Sequence, residues 1–355
     1  MTDLLFVFNC LRDDLRQGPF GECASPATIE ALIQAFTTVG HRVWPINVQS
    51  PEHLLDYLTS IPEPSLAFVY AEGFLTSPET LWDGSGPSLL REILSHRGIP
   101  TTHSTAEVMQ LCRHKHLTST RLNDFGLPVP AFQVMTPREF LQSAFSLELD
   151  FPLFVKPDGG GASLGINEKS VVVDAGQLQR RMEELYRELG DLPLILETYL
   201  PGQEYTVGII GNEVKYVLPP LAFSPETGIR HLDCKRNPPA NSLNFLEAHD
   251  HRWQPLINLA FAAFDALKAS DVIRIDLKED AQGNLYIIDV NGTPSLGANA
   301  SLVAMANHIN ISYLQLVSLI LQNSYERHRV EPPVEILELT ADACQKLTTY
   351  ASLVA

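Results

Sequence analysis

Residues 274–291, RIDLKEDAQGNLYIIDVN, constrain the fold more than any other stretch of the chain. Two runs of alternating apolar and polar residues, rich in β-branched side chains, flank a Gly-containing turn, which predicts a β-hairpin. A two-residue turn at Gln282-Gly283 sets Asp276 opposite Asp289 and Arg274 opposite Asn291. Side chains alternate between faces along each strand, so all four share one face. Two carboxylates facing each other across a ladder repel, and a divalent cation removes that conflict. Oxygen ligands with an amide beside them suit Mg²⁺ bound to substrate phosphates. A solvated hairpin face with an incidental acidic pair fits the same pattern, and the hairpin alone leaves both readings open.

A chain of 355 residues, 45% of them hydrophobic, is long enough for a large core or for two to three packed domains. Its net charge of −17 makes it a poor partner for nucleic acid or an anionic membrane. A polyanion such as ATP requires local Lys/Arg and Mg²⁺ to reverse that field. Cys10, Cys23, Cys112, Cys234 and Cys344 are scattered and form no CxxC, which fits a reducing compartment. Asp3 stands where a signal peptide carries positive charge, and no stretch reaches the ~20 apolar residues of a membrane span. The expectation is a soluble, cytoplasmic protein acting on small molecules.

The N-terminal region alternates strand and helix patterns. Strands are expected at 4–9, 42–47, 66–70 and 99–102, with helices at 26–39, 51–60 and 87–97. Such alternation implies a parallel sheet with helices on its faces. Ser104-Thr-Ala-Glu107 reads as a capping box opening one helix that runs to about Phe125. Strands at 131–135, 153–156 and 170–174, with helices at 137–146 and 175–189, make a second region. Strands at 194–198, 205–210 and 215–218, the hairpin, and apolar helices at 253–267 and 312–323 make a third. Pro332-Pro333 sets off a tail without a motif. The expected organisation is therefore 1–105, 106–190, 191–330 and a 331–355 tail, in an overall α/β (α+β) class.

Three other segments carry chemistry. Phe154-Val-Lys156-Pro157 ends an apolar strand and runs into Asp158-Gly-Gly-Gly-Ala-Ser163-Leu-Gly165. Such a loop can offer backbone N–H groups to a phosphate, with Lys156 as a point charge. A flexible surface loop is the commoner fate of a GGG run, and no GxxxxGK[ST] is present. Glu197 and Glu204 lie at the end of one strand and the start of the next, where they can accept from a ribose hydroxyl or sit solvated in a turn. His114-Lys115-His116 looks like a zinc motif, but i and i+2 on a helix point to different faces, and spacing suggests no third ligand.

In order, Lys115, FVKPDGGGASLGI, LETYLPGQEYTVGI, the Lys235 region, RIDLKEDAQGNLYIIDVN and GTPSLGANASLVAMA resemble the ATP-grasp superfamily, and within it the D-alanine–D-alanine ligases. The resemblance covers about residues 104–325 and implies an ATP-grasp fold behind an N-terminal parallel-sheet domain. It implies that Lys115, Lys156, Ser163 and Lys235 hold ATP phosphates. Glu197, Tyr199 and Leu200 would line the adenine pocket, and Glu204 would meet the ribose. Asp276, Asp289 and Asn291 would bind two Mg²⁺, or Mn²⁺ in their place. Arg274 would stabilise the anionic reaction centre, and Glu22 would lie near the amine of the first substrate. Ser301, with Ser295 and Arg236, would face the substrates. A homodimer is expected by analogy with the ligases.

The departures concentrate on the acceptor side. Val69-Tyr-Ala-Glu-Gly-Phe74 and Asp83-Gly-Ser-Gly86 replace an HGxxGEDG-type segment and contain no histidine. Ala162 stands where the ligases have serine, and Arg236 where a tyrosine is usual. These differences suggest a first substrate other than D-alanine. One divergent branch of this kind adds serine or threonine to mycosporine-glycine. A true D-alanine–D-alanine ligase is the alternative, and a non-catalytic nucleotide-binding protein is a third reading.

Overall fold

The computed structural model describes residues 2–142, 146–223, 243–247 and 249–353. The first unit contains β1 (Thr2–Phe8), α1 (Pro26–Thr38), β2 (His41–Asn47), α2 (Pro51–Ser60), β3 (Leu66–Tyr70) and α3 (Gly86–His96). Its strands form a parallel sheet in the order β2-β1-β3. β1 is apolar on both faces because both are covered. Leu4 and Phe6 pack into one core, and Leu5 and Val7 into another. Ser25 caps α1 by accepting from the Thr28 N–H, and Pro26 occupies the first turn, where its missing N–H costs nothing. The strand expected at 99–102 reduces to a single bridge between Ala67 and Thr101.

The helix expected from Ser104 to Phe125 is two helices, α4 (Ala106–Arg113) and α5 (Lys115–Asp124). His114 between them is extended, with φ −108° and ψ 105°. Thr105, not Ser104, is the cap, accepting from the Val108 N–H. Ser104 instead hydrogen-bonds the backbone of Ser270 and is buried.

β4 (Phe132–Met135), α6 (Pro137–Leu141), β5 (Leu153–Pro157), β6 (Val171–Val172), α7 (Ala175–Leu189) and β7 (Leu194–Thr198) follow. They build an antiparallel sheet in the order β4-β7-β5-β6. Leu178, Met182 and Leu185 of α7 pack on Leu153, Val155 and Leu196. β7 thus lies in this second sheet, although the expected boundary at 190/191 assigns it to the third unit. Its pairing with β4 and β5 holds it there.

The last unit comprises β8 (Glu204–Gly211), β9 (Lys215–Val217), β10 (Leu221–Phe223), β11 (Leu243–Phe245), α8 (Trp253–Leu267), β12 (Asp271–Glu279), β13 (Leu285–Asn291), α9 (Ser301–His308), α10 (Tyr313–His328) and α11 (Val334–Leu353). Its sheet runs β11-β10-β8-β12-β13, with β9 on β8. Ile273, Ile275 and Leu277 of β12 pack with α8, so the alternate residues Arg274 and Asp276 turn to the opposite face. The tail is not a featureless extension. Ile336, Ala343 and Leu347 of α11 join the core built on α10. Among the described residues no single helix is long and apolar enough to cross a membrane.

Candidate active site

The hairpin has the expected pairing by a different route. Arg274 lies opposite Asn291 and Asp276 opposite Asp289, but Leu277 pairs with Ile287 rather than Ile288. The turn is a wider loop in which the Asp280 N–H donates to the Asn284 carbonyl at 2.9 Å and the Asp280 carboxylate accepts three bonds from Gln282 and Asn284. That loop shifts the ladder by one residue, and a β-bulge at Ile288 shifts it back. The bulge turns the Ile288 carbonyl to Lys156 Nζ at 3.2 Å.

Asp276 is 5% exposed and accepts from Thr206 Oγ1 at 2.6 Å, Arg274 Nε at 2.9 Å, Arg274 Nη2 at 2.8 Å and Asn291 Nδ2 at 3.4 Å. Burial opposes the Arg274 charge, but Asp276, Asp289 and Glu204 outweigh it and hold the guanidinium pKa above its ordinary value. Two carboxylates and an amide on one face form a hard donor set that fits Mg²⁺. Cys112 brings no competing thiolate there, because burial pushes its pKa up to about 12.

Facing the hairpin, Lys156 at the end of β5 meets Glu197 of β7 at 2.8 Å, with both side chains nearly fully buried. Burial works against the Lys156 charge, and Glu197, Asp289 and Glu204 overcome it, so its pKa lies above the ordinary lysine value. Lys115 is the opposite case. Burial lowers its pKa, Lys156 and Arg113 push the same way, and Asp289 compensates only in part. Lys115 Nζ donates to the Gly160 carbonyl at 3.0 Å, tying α5 to the glycine-rich loop.

In that loop Gly160, Ala162, Ser163 and Gly165 all have positive φ, of 77°, 49°, 57° and 64°. Ala162 and Ser163 therefore hold a conformation that side chains disfavour, as is common where a backbone is shaped for an anion. Asp158 anchors the loop by accepting from the His116 N–H at 2.8 Å and the His116 imidazole at 2.6 Å. Because His114 precedes α5 in extended conformation, it too approaches Asp158, at 3.6 Å. His114, His116 and Asp158 thus do bring possible ligand atoms within 4.8 Å, against the sequence expectation. The role of Asp158 in capping α5 accounts for this cluster.

The resulting cleft lies between the two sheets and is partly open to solvent. Lys115, Lys156, Ser163, Glu197, Tyr199, Leu200, Glu204, Asp276 and Asp289 line it, with Phe154 and Ile166 as apolar walls. Arg274 and Asn291 stand behind, on Asp276. Ser301 begins α9 and is buried, while Ser295 Oγ accepts weakly from the Gly297 N–H at 3.4 Å, and neither lines the cleft. Lys235 and Arg236 lie outside the described residues.

Glu22 is not among the residues that line the cleft. It is held by Arg113, whose Nη2 donates to it at 2.6 Å, while Arg113 Nη1 stands 3.4 Å from Glu72. Sequence reasoning missed Arg113, Glu72 and Lys278. Lys278 lines the cleft 3.7 Å from Glu204. Lys278 was legible, since it shares the face of Arg274 and Asp276 by alternation. Arg113 was not, because nothing local links it to Glu22 or Glu72.

A glycine-rich loop and a carboxylate hairpin facing each other from two antiparallel sheets define an ATP-grasp architecture. The family model described as D-ala D-ala ligase C-terminus matches residues 122–322. A D-alanine–D-alanine ligase of Actinobacillus succinogenes is 29% identical over 245 residues, 68% of this chain and 77% of that protein. The fold is similar to a crystal structure of D-alanine–D-alanine ligase from Bacillus anthracis complexed with ATP. That match has a TM-score of 0.69 at 19% identity and covers 93% of this chain and 99% of the other. It is also similar to VanG D-Ala:D-Ser ligase from Enterococcus faecalis, with a TM-score of 0.68 at 16% identity, covering 91% and 99%. The chain belongs to the D-alanine–D-alanine ligase family. It is an ATP-dependent, ADP-forming C–N ligase of the amino-acid ligase type.

Proposed function

We propose that this enzyme phosphorylates a carboxylate-like oxygen of a small acid other than D-alanine and couples it to the amine of an amino acid. The observation that carries the reading is the cleft itself, where nine residues expected around the nucleotide and metals converge. The attacking oxygen displaces ADP from the γ-phosphorus, and the amine then displaces phosphate from the activated carbon. Lys115, Lys156 and the N–H groups around Ser163 hold ATP phosphates, assisted by Lys235. Glu197, Tyr199 and Leu200 receive the adenine and Glu204 the ribose. Asp276, Asp289 and Asn291 would hold two Mg²⁺, which would supply neutralisation of the phosphate charge. Arg274, oriented by Asp276, faces the developing oxyanion. Ser301, Ser295 and Arg236 serve the substrates.

The acceptor we favour is mycosporine-glycine, with serine or threonine supplying the amine. The missing N-terminal histidine, Ala162 and Arg236 support a remodelled acceptor side. The alternative, D-alanine–D-alanine ligation, rests on the named activity of the relatives. We further propose a cytoplasmic homodimer whose units divide near residues 105 and 198, with the helix Val334–Leu353 completing the last unit. The test is ADP release across D- and L-amino acids, with and without mycosporine-glycine. ADP formed with mycosporine-glycine plus serine or threonine is the expected result. ADP formed with D-alanine alone would replace this reading by the alternative.

A further inference from the structure

Beneath the glycine-rich loop lies a buried group of charges that the phosphoryl chemistry leaves unexplained. Arg113, the last residue of α4, donates from Nη2 to Glu22 at 2.6 Å and to the Leu81 carbonyl at 2.9 Å. Its Nη1 stands 3.4 Å from Glu72 Oε2. The side chains of Arg113, Glu22 and Glu72 are only 10%, 21% and 13% exposed. The Glu22 carboxylate rests against the loop, since a Cβ placed on Gly161 would lie 1.8 Å from Glu22 Oε1. Two residues further, Ser163 lines the nucleotide cleft. Glu22 therefore abuts the loop two residues from a side chain of the proposed phosphate site.

A carboxylate that receives a substrate ammonium has to keep an acceptor oxygen and its charge available to that ligand. Here one guanidinium reaches both carboxylates and makes a short, charge-assisted bond to the one nearest the loop. An incoming ammonium would meet the like charge of Arg113 at the place where it needs an anion, and displacing that buried guanidinium would leave it unpaired. Burial also raises the pKa of Glu72 above the ordinary carboxylate value, with Arg113 pulling it down.

We propose that Arg113 is a specificity-determining positioning residue that takes the ammonium position of the acceptor site through Glu22. The phosphoryl-accepting substrate is then a small acid or enol with no free ammonium beside its reacting oxygen. This deepens the ligase reading above and rests on it for the identity of the site.

The experiment compares binding of D-alanine with D-lactate, its counterpart without an ammonium, by calorimetric titration of the Mg²⁺–AMPPNP-loaded protein. Arg113→Met is expected to strengthen D-alanine binding relative to D-lactate at least tenfold. Adding Glu22→Gln should remove that gain, and Arg113→Lys should keep the wild-type preference. Failure of Arg113→Met to gain D-alanine binding overturns the proposal, as does a wild type that already prefers D-alanine tenfold. If Arg113→Met does not fold, Glu22→Gln alone decides. An unchanged D-alanine/D-lactate ratio supports the proposal, and a tenfold fall shows Glu22 to be the ammonium receptor and overturns it. ADP release by the wild type in the amine panel is read separately, so the ligase reading can stand when this inference fails.

Discussion

Lys156 is held by the Glu197 carboxylate at 2.8 Å and donates to the Ile288 carbonyl at 3.2 Å. Glu197 is only 4% exposed, so removing its partner leaves a buried carboxylate uncompensated. Lys156→Ala is expected to cost about 3–5 kcal/mol in urea unfolding. Lys156→Met with Glu197→Leu should recover most of that loss, which separates the pair's stability role from its proposed phosphate role. Asp289 differs from Lys156 in lining the cleft from a strand that keeps its backbone pairing whatever its side chain. Asp289→Ala is expected to lower kcat at least a thousandfold, about 4 kcal/mol of transition-state stabilisation, with an unchanged melting temperature. Activity near wild type would remove the hairpin from the metal role. At this scale the cleft-lining residues were legible, because Lys, Glu and Asp in short motifs advertise their chemistry. Arg113 and Glu72 were not, since their meaning depends on partners up to 91 residues away.

Among the elements, the hairpin illustrates how a register can be right while its turn is wrong. Periodicity placed Asp276 opposite Asp289, yet the two-residue turn assumed for it does not form. Asp280 instead closes a longer loop through three side-chain bonds, and the Ile288 bulge absorbs the extra residue. Gly283 in that loop has φ 84° and open space around its Cα. Gly283→Ala is therefore expected to lower stability by about 1–2 kcal/mol through backbone strain, read from a chemical-denaturation midpoint, with KM for ATP unchanged. A changed KM would mean that the loop tip contributes to the site. The split of the expected long helix into α4 and α5 has a similar origin. His114 leaves the helical region, and Asp158 supplies caps to α5 from 42 residues away, a bond that periodicity cannot see.

Across the whole molecule, the N-terminal unit is held to the last unit by bonds between distant elements. His41 of β2 bonds Tyr325 of α10 at 2.7 Å and stacks on it at 5.9 Å. Burial depresses the His41 pKa from 6.5 to about 4, with the Phe36 carbonyl opposing. The unfolded chain then binds the proton first as pH falls. The stability held by neutral His41 is full above about pH 6.5 and is lost progressively toward pH 4, and a shift of this size corresponds to about 3 kcal/mol. His41→Gln is expected to flatten the melting temperature between pH 6.5 and 4 relative to wild type, measured by calorimetry. An unchanged slope would show that His41 does not set the acid limb.

The sequence by itself determined most of the elements before residue 330 and the phosphoryl chemistry. Hydrophobic period, caps, and charged residues beside glycine turns are local properties, and the ATP-grasp motifs lie within short segments. Only the tertiary structure decided where β7 belongs, that 334–353 is a helix packed into the core, and that Glu22 is bound to Arg113. Those outcomes depend on pairing energies and burial between residues far apart in the chain, which no local pattern encodes. On the acceptor side the missing histidine, Ala162 and Arg236 are local departures that the sequence shows, whereas the Arg113–Glu22 contact depends on residues far apart and appears only in the fold.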